Sequence, residues 1–192
     1  HIRFPTRASG LACGLAALFI GFAATTSTAL AADTRPLAFP GAQGAAAHTP
    51  GGRGGKIVRV TSLAADGPGS FKEAVSGKGP RTVVFEVGGV IDLGMKELRI
   101  TEPFLTIAGQ TAPHPGVTII KGGLTIATHD VVIRHLRIRP GDGGMPKRSG
   151  DIDAITTVRG AHDVIVDHCS LTWATDENLS ASSTRFHGEN EA

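Results

Sequence analysis

Apolar residues along this 192-residue chain fall into short runs that alternate with polar positions. They cover residues 82–87, 90–93, 98–100, 105–108, 117–120, 124–127, 131–139, 154–158 and 164–173, and Gly, Pro, His-Asp or charged pairs separate them. A period of two over three to nine residues, rich in Val, Ile and Thr, predicts β-strands. Helical periodicity is nearly absent. Only 69–76, GSFKEAVS, reads as a short helix, with Ser70 as N-cap and Glu73 at the capping-box position. Residues 41–55 read as a glycine-rich loop.

Two internal similarities give the strands an order. Leu105-Thr106-Ile107-Ala108 recurs as Leu124-Thr125-Ile126-Ala127, 19 residues later, and the stretch from His129 to His135 recurs from His162 to His168, 33 residues later. The longer offset is read as one coil plus a Gly/Pro-rich insertion at 140–150. Units of about 20 to 30 residues built of short strands cannot bury an apolar face singly, so they stack. The fold expected is all-β and made of stacked coils; the alternative is a β-sandwich with coincidental similarity.

The N-terminus is set apart. Arg3 and Arg7 precede an apolar stretch, 11–24, and Ala29-Leu30-Ala31 ends a small-residue run. This is the form of a secretory signal peptide over 1–31, too short in its apolar run to span a bilayer. A secreted protein without stable membrane association after leader removal is expected, leaving a domain at 32–192. Without Arg3 and Arg7 the 19 basic residues fall to 17, against 17 acidic ones, so no global charge argues for nucleic acid. Six basic residues lie between Lys121 and Arg148, against Asp130 and Asp142. That local cationic face suits an anionic ligand. Cys169 stands alone once Cys13 leaves with the leader, which excludes a disulfide scaffold.

Alternation places the chemistry. Leu136 and Ile138 face a core, and Arg137 and Arg139 face out with His135. Asp151 and Asp153 flank Ile152 on one face, and coil stacking at about 4.8 Å is expected to make them neighbours of the arginines. Paired carboxylates are ligands for a hard cation such as Ca²⁺, and arginines hold an acidic polymer; an ordinary solvated ion-paired face is the plainer alternative. Asp176-Glu177 follows Trp173 and can add metal ligands, although adjacent residues do not share one strand face. Asp167-His168 reads as a structural pair rather than a catalytic dyad. Trp173 suits either sugar stacking or core packing. No zinc-protease spacing, G-x-S-x-G elbow or phosphate-binding loop occurs.

Several segments together resemble bacterial pectate lyase-like proteins. They are Ala38-Phe39-Pro40-Gly41-Ala42-Gln43-Gly44, the stretch from Gly51 to Thr61, Gly67-Pro68-Gly69-Ser70-Phe71, Gly79-Pro80-Arg81-Thr82, Thr106-Ile107-Ala108-Gly109-Gln110-Thr111-Ala112-Pro113, the stretch from Val166 to Trp173, and Thr175-Asp176-Glu177-Asn178-Leu179-Ser180. The likeness runs in order over 38–183. It implies a right-handed parallel β-helix, incomplete at its C-terminus, that cleaves pectate (polygalacturonate) by Ca²⁺-assisted β-elimination. It implies Asp151 and Asp153 as calcium-site aspartates, with Asp176 or Glu177 in a second acidic group, and Asp167-His168 as a structural pair. The catalytic base it implies is an arginine on an Arg-x-Pro-Arg-like segment. No such segment occurs before Ala192, so the arginine is expected downstream and the chain is expected to be an inactive fragment of a protein that is monomeric at full length. A non-catalytic carbohydrate-binding β-helix is the alternative. A polygalacturonase-type hydrolase is weaker, since its carboxylate set is not supplied.

Overall fold

The computed structural model describes residues 34–144, 151–158 and 160–182, so the expected leader lies outside it. Its strands form three sheets, each built from one strand per coil. The first holds β1 (Lys56–Val60), β2 (Arg81–Phe85), β5 (Leu105–Ala108), β8 (Val131–Arg134) and β11 (Val164–Asp167) in that order. The second holds β3 (Gly89–Asp92), β6 (Val117–Ile120), β9 (Arg137–Arg139) and β12 (Ser170–Leu171). The third holds β4 (Leu98–Ile100), β7 (Leu124–Ile126), β10 (Ile155–Thr157) and β13 (Leu179–Ala181). All pairs are parallel. The chain visits the three sheets in turn and returns to each beside its earlier strand, which makes a parallel β-helix.

Register explains the core. Val83, Ile107, Ile133 and Val166 pair across successive coils in the first sheet, and Ile91, Ile119, Ile138 and Leu171 do so in the second. Leu98, Leu124, Ile155 and Leu179 complete the third. Most of these side chains are wholly buried. Each of the wholly buried ones contributes about 1.5–3 kcal/mol of transfer free energy, and none has a partner until the next coil supplies one. The alternation reading of Leu136 and Ile138 as inward holds, since both are fully buried.

Two runs that looked like single strands are each divided. Residues 131–139 break at His135 and 164–173 break at His168, both in the left-handed region with φ 55° and 51°. The chain turns there from the first sheet to the second without Gly or Pro, so nothing in the alternation marked the corner. The two Leu-Thr-Ile-Ala copies lie on different sheets, β5 and β7, and their 19-residue offset is not a coil. The 33-residue offset is one, because Val131 pairs with Val164. Both β1 and β13 form strands where none was expected.

The predicted helix is α1 (Phe71–Ser76), capped by Ser70 Oγ accepting from Glu73 N–H at 3.2 Å, while Glu73 Oε2 accepts from Gly69 N–H at 2.6 Å. It buries Phe71 against Phe85, ring centroids 5.6 Å apart. Beneath it Arg81 occupies the inward position that Leu105 and Val131 hold in later coils, and is 1 % exposed. Its guanidinium donates to the carbonyls of Val75 at 2.5 Å, Pro103 at 3.0 Å, Gly79 at 3.1 Å and Glu102 at 3.2 Å. Burial pulls its pKa down, and the Glu102 charge partly restores it. The 41–55 loop lies along the first sheet: Gly52 N–H donates to Thr106 Oγ1 at 2.9 Å, and a Cβ on Gly52 or Gly55 would collide with the Arg81 or Pro80 carbonyl. Among the described residues no helix is long and apolar enough to cross a membrane.

Arg81→Leu keeps apolar bulk but leaves four carbonyls without this donor. The expected loss is about 1–3 kcal/mol in chemical denaturation, with Arg81→Lys losing less; a leucine variant of parental stability would remove Arg81 as the tie between helix and first coils.

Candidate functional site

The corner between the second and third sheets carries the acidic residues. Of the described residues, 140–144 and 151–154 lie between β9 and β10, and 172–178 lie between β12 and β13. Ladder bonding runs through these crossings before the strands begin. Ala154 N–H donates to Glu177 O at 3.1 Å, Ile155 N–H to Asn178 O at 3.3 Å and Thr175 N–H to Ile152 O at 3.2 Å. Asp153 is fixed from the other side by Gly123, where a Cβ would collide with the Asp153 carbonyl. Its Oδ1 accepts from Glu177 N–H at 3.0 Å.

The outcome is a group of three carboxylates. Ligand oxygens of Asp153, Asp176 and Glu177 lie within 4.8 Å of one another. Asp153 is half-buried and the other two are exposed. Hydrogen bonding with Asp176 pushes the Glu177 carboxyl above its ordinary 4.5, and desolvation and the charges of Asp176 and Asp153 add to the rise. A cation placed among crowded carboxylates would relieve their mutual repulsion, and carboxylate oxygens are the preferred donors of a hard cation. The donor set fits Ca²⁺.

Two expectations about this site change. Asp151 is exposed and is not in the group. Residues 151–153 are not strand, so the alternation that put both aspartates on one face does not operate there, although Ile152 does turn inward at 8 % exposure. Asp176 and Glu177 both join the group although adjacent, because a bend replaces the strand at that point.

Arg137 and Arg139 are half-buried on the second sheet, and their bonds run to neighbouring coils and to the Ile138 carbonyl rather than to the aspartates. Arg137 Nε donates to Thr118 Oγ1 at 2.8 Å and its Nη2 to Pro115 O at 2.6 Å. Arg139 Nη2 donates to Ser170 Oγ at 2.7 Å, and its Nη1 to the Ile138 and Ser170 carbonyls. Asp151 and Asp153 follow these arginines in the same coil instead of stacking upon them. Lys147 and Arg148 of the expected cationic face lie outside the described residues.

The remaining candidates separate by burial. Trp173 is 74 % exposed and does not pack into this core. Cys169 is a free, half-buried thiol whose pKa burial raises, so it is a poor nucleophile. Asp167 Oδ2 accepts from Arg134 Nε at 2.7 Å and from His168 Nδ1 at 2.9 Å, the hydrogen-bonded pair expected.

Glu177 gives a pH test. With its pKa raised, the folded state binds this proton more tightly than the unfolded state, so stability falls as pH rises from 4.5 through the raised value. Asp92 acts with opposite sign: its pKa is depressed, first by the Lys121 hydrogen bond, so its contribution is present above 3.8 and is lost as pH falls through the depressed value. In chelator-treated protein, Glu177→Gln should flatten the melting temperature against pH above 4.5 and leave the acid limb in place. An unchanged slope above that pH would contradict the crowding.

No family model matches the chain. It is similar to a probable pectate lyase C of Emericella nidulans, 41 % identical over 152 residues that cover 79 % of this chain and 34 % of the relative. A probable pectate lyase C of Aspergillus terreus is 43 % identical over 149 residues, 77 % of this chain and 34 % of that protein. Pectate lyase 3 of Ambrosia artemisiifolia is 32 % identical over 164 residues, 76 % of this chain and 40 % of its own length. The chain thus spans about a third of the length of the fungal relatives. These relatives are fungal and plant proteins and give no support to a bacterial membership. The similarity supports a pectate lyase-like family for this chain.

Proposed function

We propose that the chain is part of a secreted polysaccharide lyase that cleaves pectate by Ca²⁺-assisted β-elimination. The observation that carries the reading is the convergence of Asp153, Asp176 and Glu177 at one corner, in a chain similar to proteins named pectate lyase. Asp153, anchored by the Glu177 N–H and the Gly123 approach, and the two exposed acids would hold the cation. Bound Ca²⁺ would neutralise the uronate carboxylate and acidify the neighbouring C–H. Arg137 and Arg139, fixed by Thr118, Pro115 and Ser170, would present guanidinium edges to the next carboxylate along the polymer. Asp151 is proposed as an outer acid two residues from Asp153. The base is proposed to be an arginine beyond Ala192.

The test is ultraviolet detection of unsaturated uronide from polygalacturonate by the full-length gene product, with Ca²⁺ and with chelator. Activity should require Ca²⁺ and fall at least about tenfold in Asp153→Ala and Glu177→Ala, with a smaller fall in Asp151→Ala. Activity that survives chelation and both substitutions would overturn the metal assignment. Binding to polygalacturonate without any unsaturated product would replace the lyase with a carbohydrate-binding module.

A further inference from the structure

Trp173 stands between the guanidinium and carboxylate groups of the acidic corner and the second sheet. It lies in the crossing from β12 to β13, three residues after Ser170, which carries the Arg139 guanidinium, and three before Asp176. Extended chain spans at most about 3.6 Å per residue, so both residues lie within about 11 Å of its backbone. The ladder fixes its place along the coil. Thr172 N–H donates to the Ile138 carbonyl at 3.2 Å, and the Trp173 carbonyl accepts from Gly141 N–H at 2.8 Å.

Packing does not account for this side chain. Leu171 and Ala174 on either side of it both pack against the core, whereas Trp173 is 74 % exposed. The other described aromatic rings have partners: Phe71 and Phe85 lie ring to ring, Phe104 meets His129 edge-on, and Phe39 lies under the Arg134 guanidinium. Trp173 has no ring or cation partner among the described residues. Its backbone is left-handed, with φ 64°, a region that bulky side chains rarely adopt. A large apolar ring kept in water at a strained corner, beside charged groups, points to a ligand rather than to the fold.

We propose that Trp173 is a stacking platform for one galacto-configured pyranose ring of the acidic polysaccharide, in a subsite that flanks the reacting ring. The indole offers a flat apolar face with its N–H at the rim. In galacturonate the C–H bonds at C3, C4 and C5 lie on one face of the ring, which gives it an apolar patch; in glucuronate C4–H lies on the other face. Stacking on that patch leaves the ring's carboxylate at the edge, free for a guanidinium or a cation. It also turns C5–H onto the indole, so the stacked ring is not the one that loses this proton. Trp173 therefore holds a neighbouring ring and sets which ring along the polymer reaches the acidic corner. This assignment rests on the lyase reading for its substrate.

The experiment uses the full-length gene product with Ca²⁺ and polygalacturonate. Trp173→Asn removes the ring but keeps a side chain that tolerates left-handed backbone, and Trp173→Phe keeps a smaller ring. KM from unsaturated-uronide release should rise about five- to tenfold in Trp173→Asn and less in Trp173→Phe, with kcat unchanged. Calorimetric Ca²⁺ affinity should be parental in both. Parental KM in Trp173→Asn, or a KM rise matched by loss of Ca²⁺ affinity, would overturn the platform while leaving the lyase in place. Trp173 emission, taken as the difference between the parent and Trp173→Phe, should shift to the blue when galacturonate oligomers are added. If the parent releases no unsaturated product, the lyase reading fails separately; a blue shift then keeps the platform, and its absence overturns it.

Discussion

Everything in this fold depends on the in-register parallel hydrogen-bonded ladder between one coil and the next. A single coil has three short strands, none long enough to be stable, and an apolar face with nothing opposite it. Stacking satisfies the backbone and buries the side chains in the same step. Because the register is kept, residue types repeat along lines through the molecule: Val83, Ile107, Ile133 and Val166 inside, the His135–His168 stack at one corner, Asp153 with Glu177 at another. The stacking that builds the core therefore also concentrates chemistry, since it brings together polar residues far apart in the chain.

Concentrating like groups has an electrostatic cost, and the molecule meets it differently at each place. At Arg81 a buried cation is surrounded by carbonyls, four of which accept its hydrogen bonds, so the helix end and the loop ahead of β5 are tied to one side chain. At Asp167 the carboxylate is balanced by Arg134 and His168; burial pushes its pKa up, but their hydrogen bonds and charges outweigh burial and leave it depressed. At Asp153, Asp176 and Glu177 no described cation balances the charge, and the Glu177 pKa rises. The contrast singles out the acidic corner as the place that a cation would complete.

Much of this was legible before any coordinates. Alternation located most strands and the inward Leu136 and Ile138, because burial on one side of a pleated strand imposes a period of two. The 33-residue repeat marked a coil, since stacked coils must supply equivalent residues at equivalent positions. The 19-residue repeat misled: Leu-Thr-Ile-Ala suits any inward-facing strand, and β5 and β7 use it on different sheets. The corners at His135 and His168 escaped because a non-glycine left-handed residue leaves no pattern in hydrophobicity.

From the amino-acid sequence alone come the all-β class, the stacking of short strands, the helix with its Ser70 and Glu73 cap, and the acids that supply the carboxylate corner. These follow from local rules: side-chain alternation, capping, and the donor chemistry of each residue type. Tertiary structure alone decided that Asp153 joins Asp176 and Glu177 while Asp151 does not, that Arg137 and Arg139 bond to neighbouring coils, and that two histidines 33 residues apart stack ring on ring. Those outcomes depend on where each corner falls relative to the next coil, which is set by ladder register and backbone angle between residues distant in sequence.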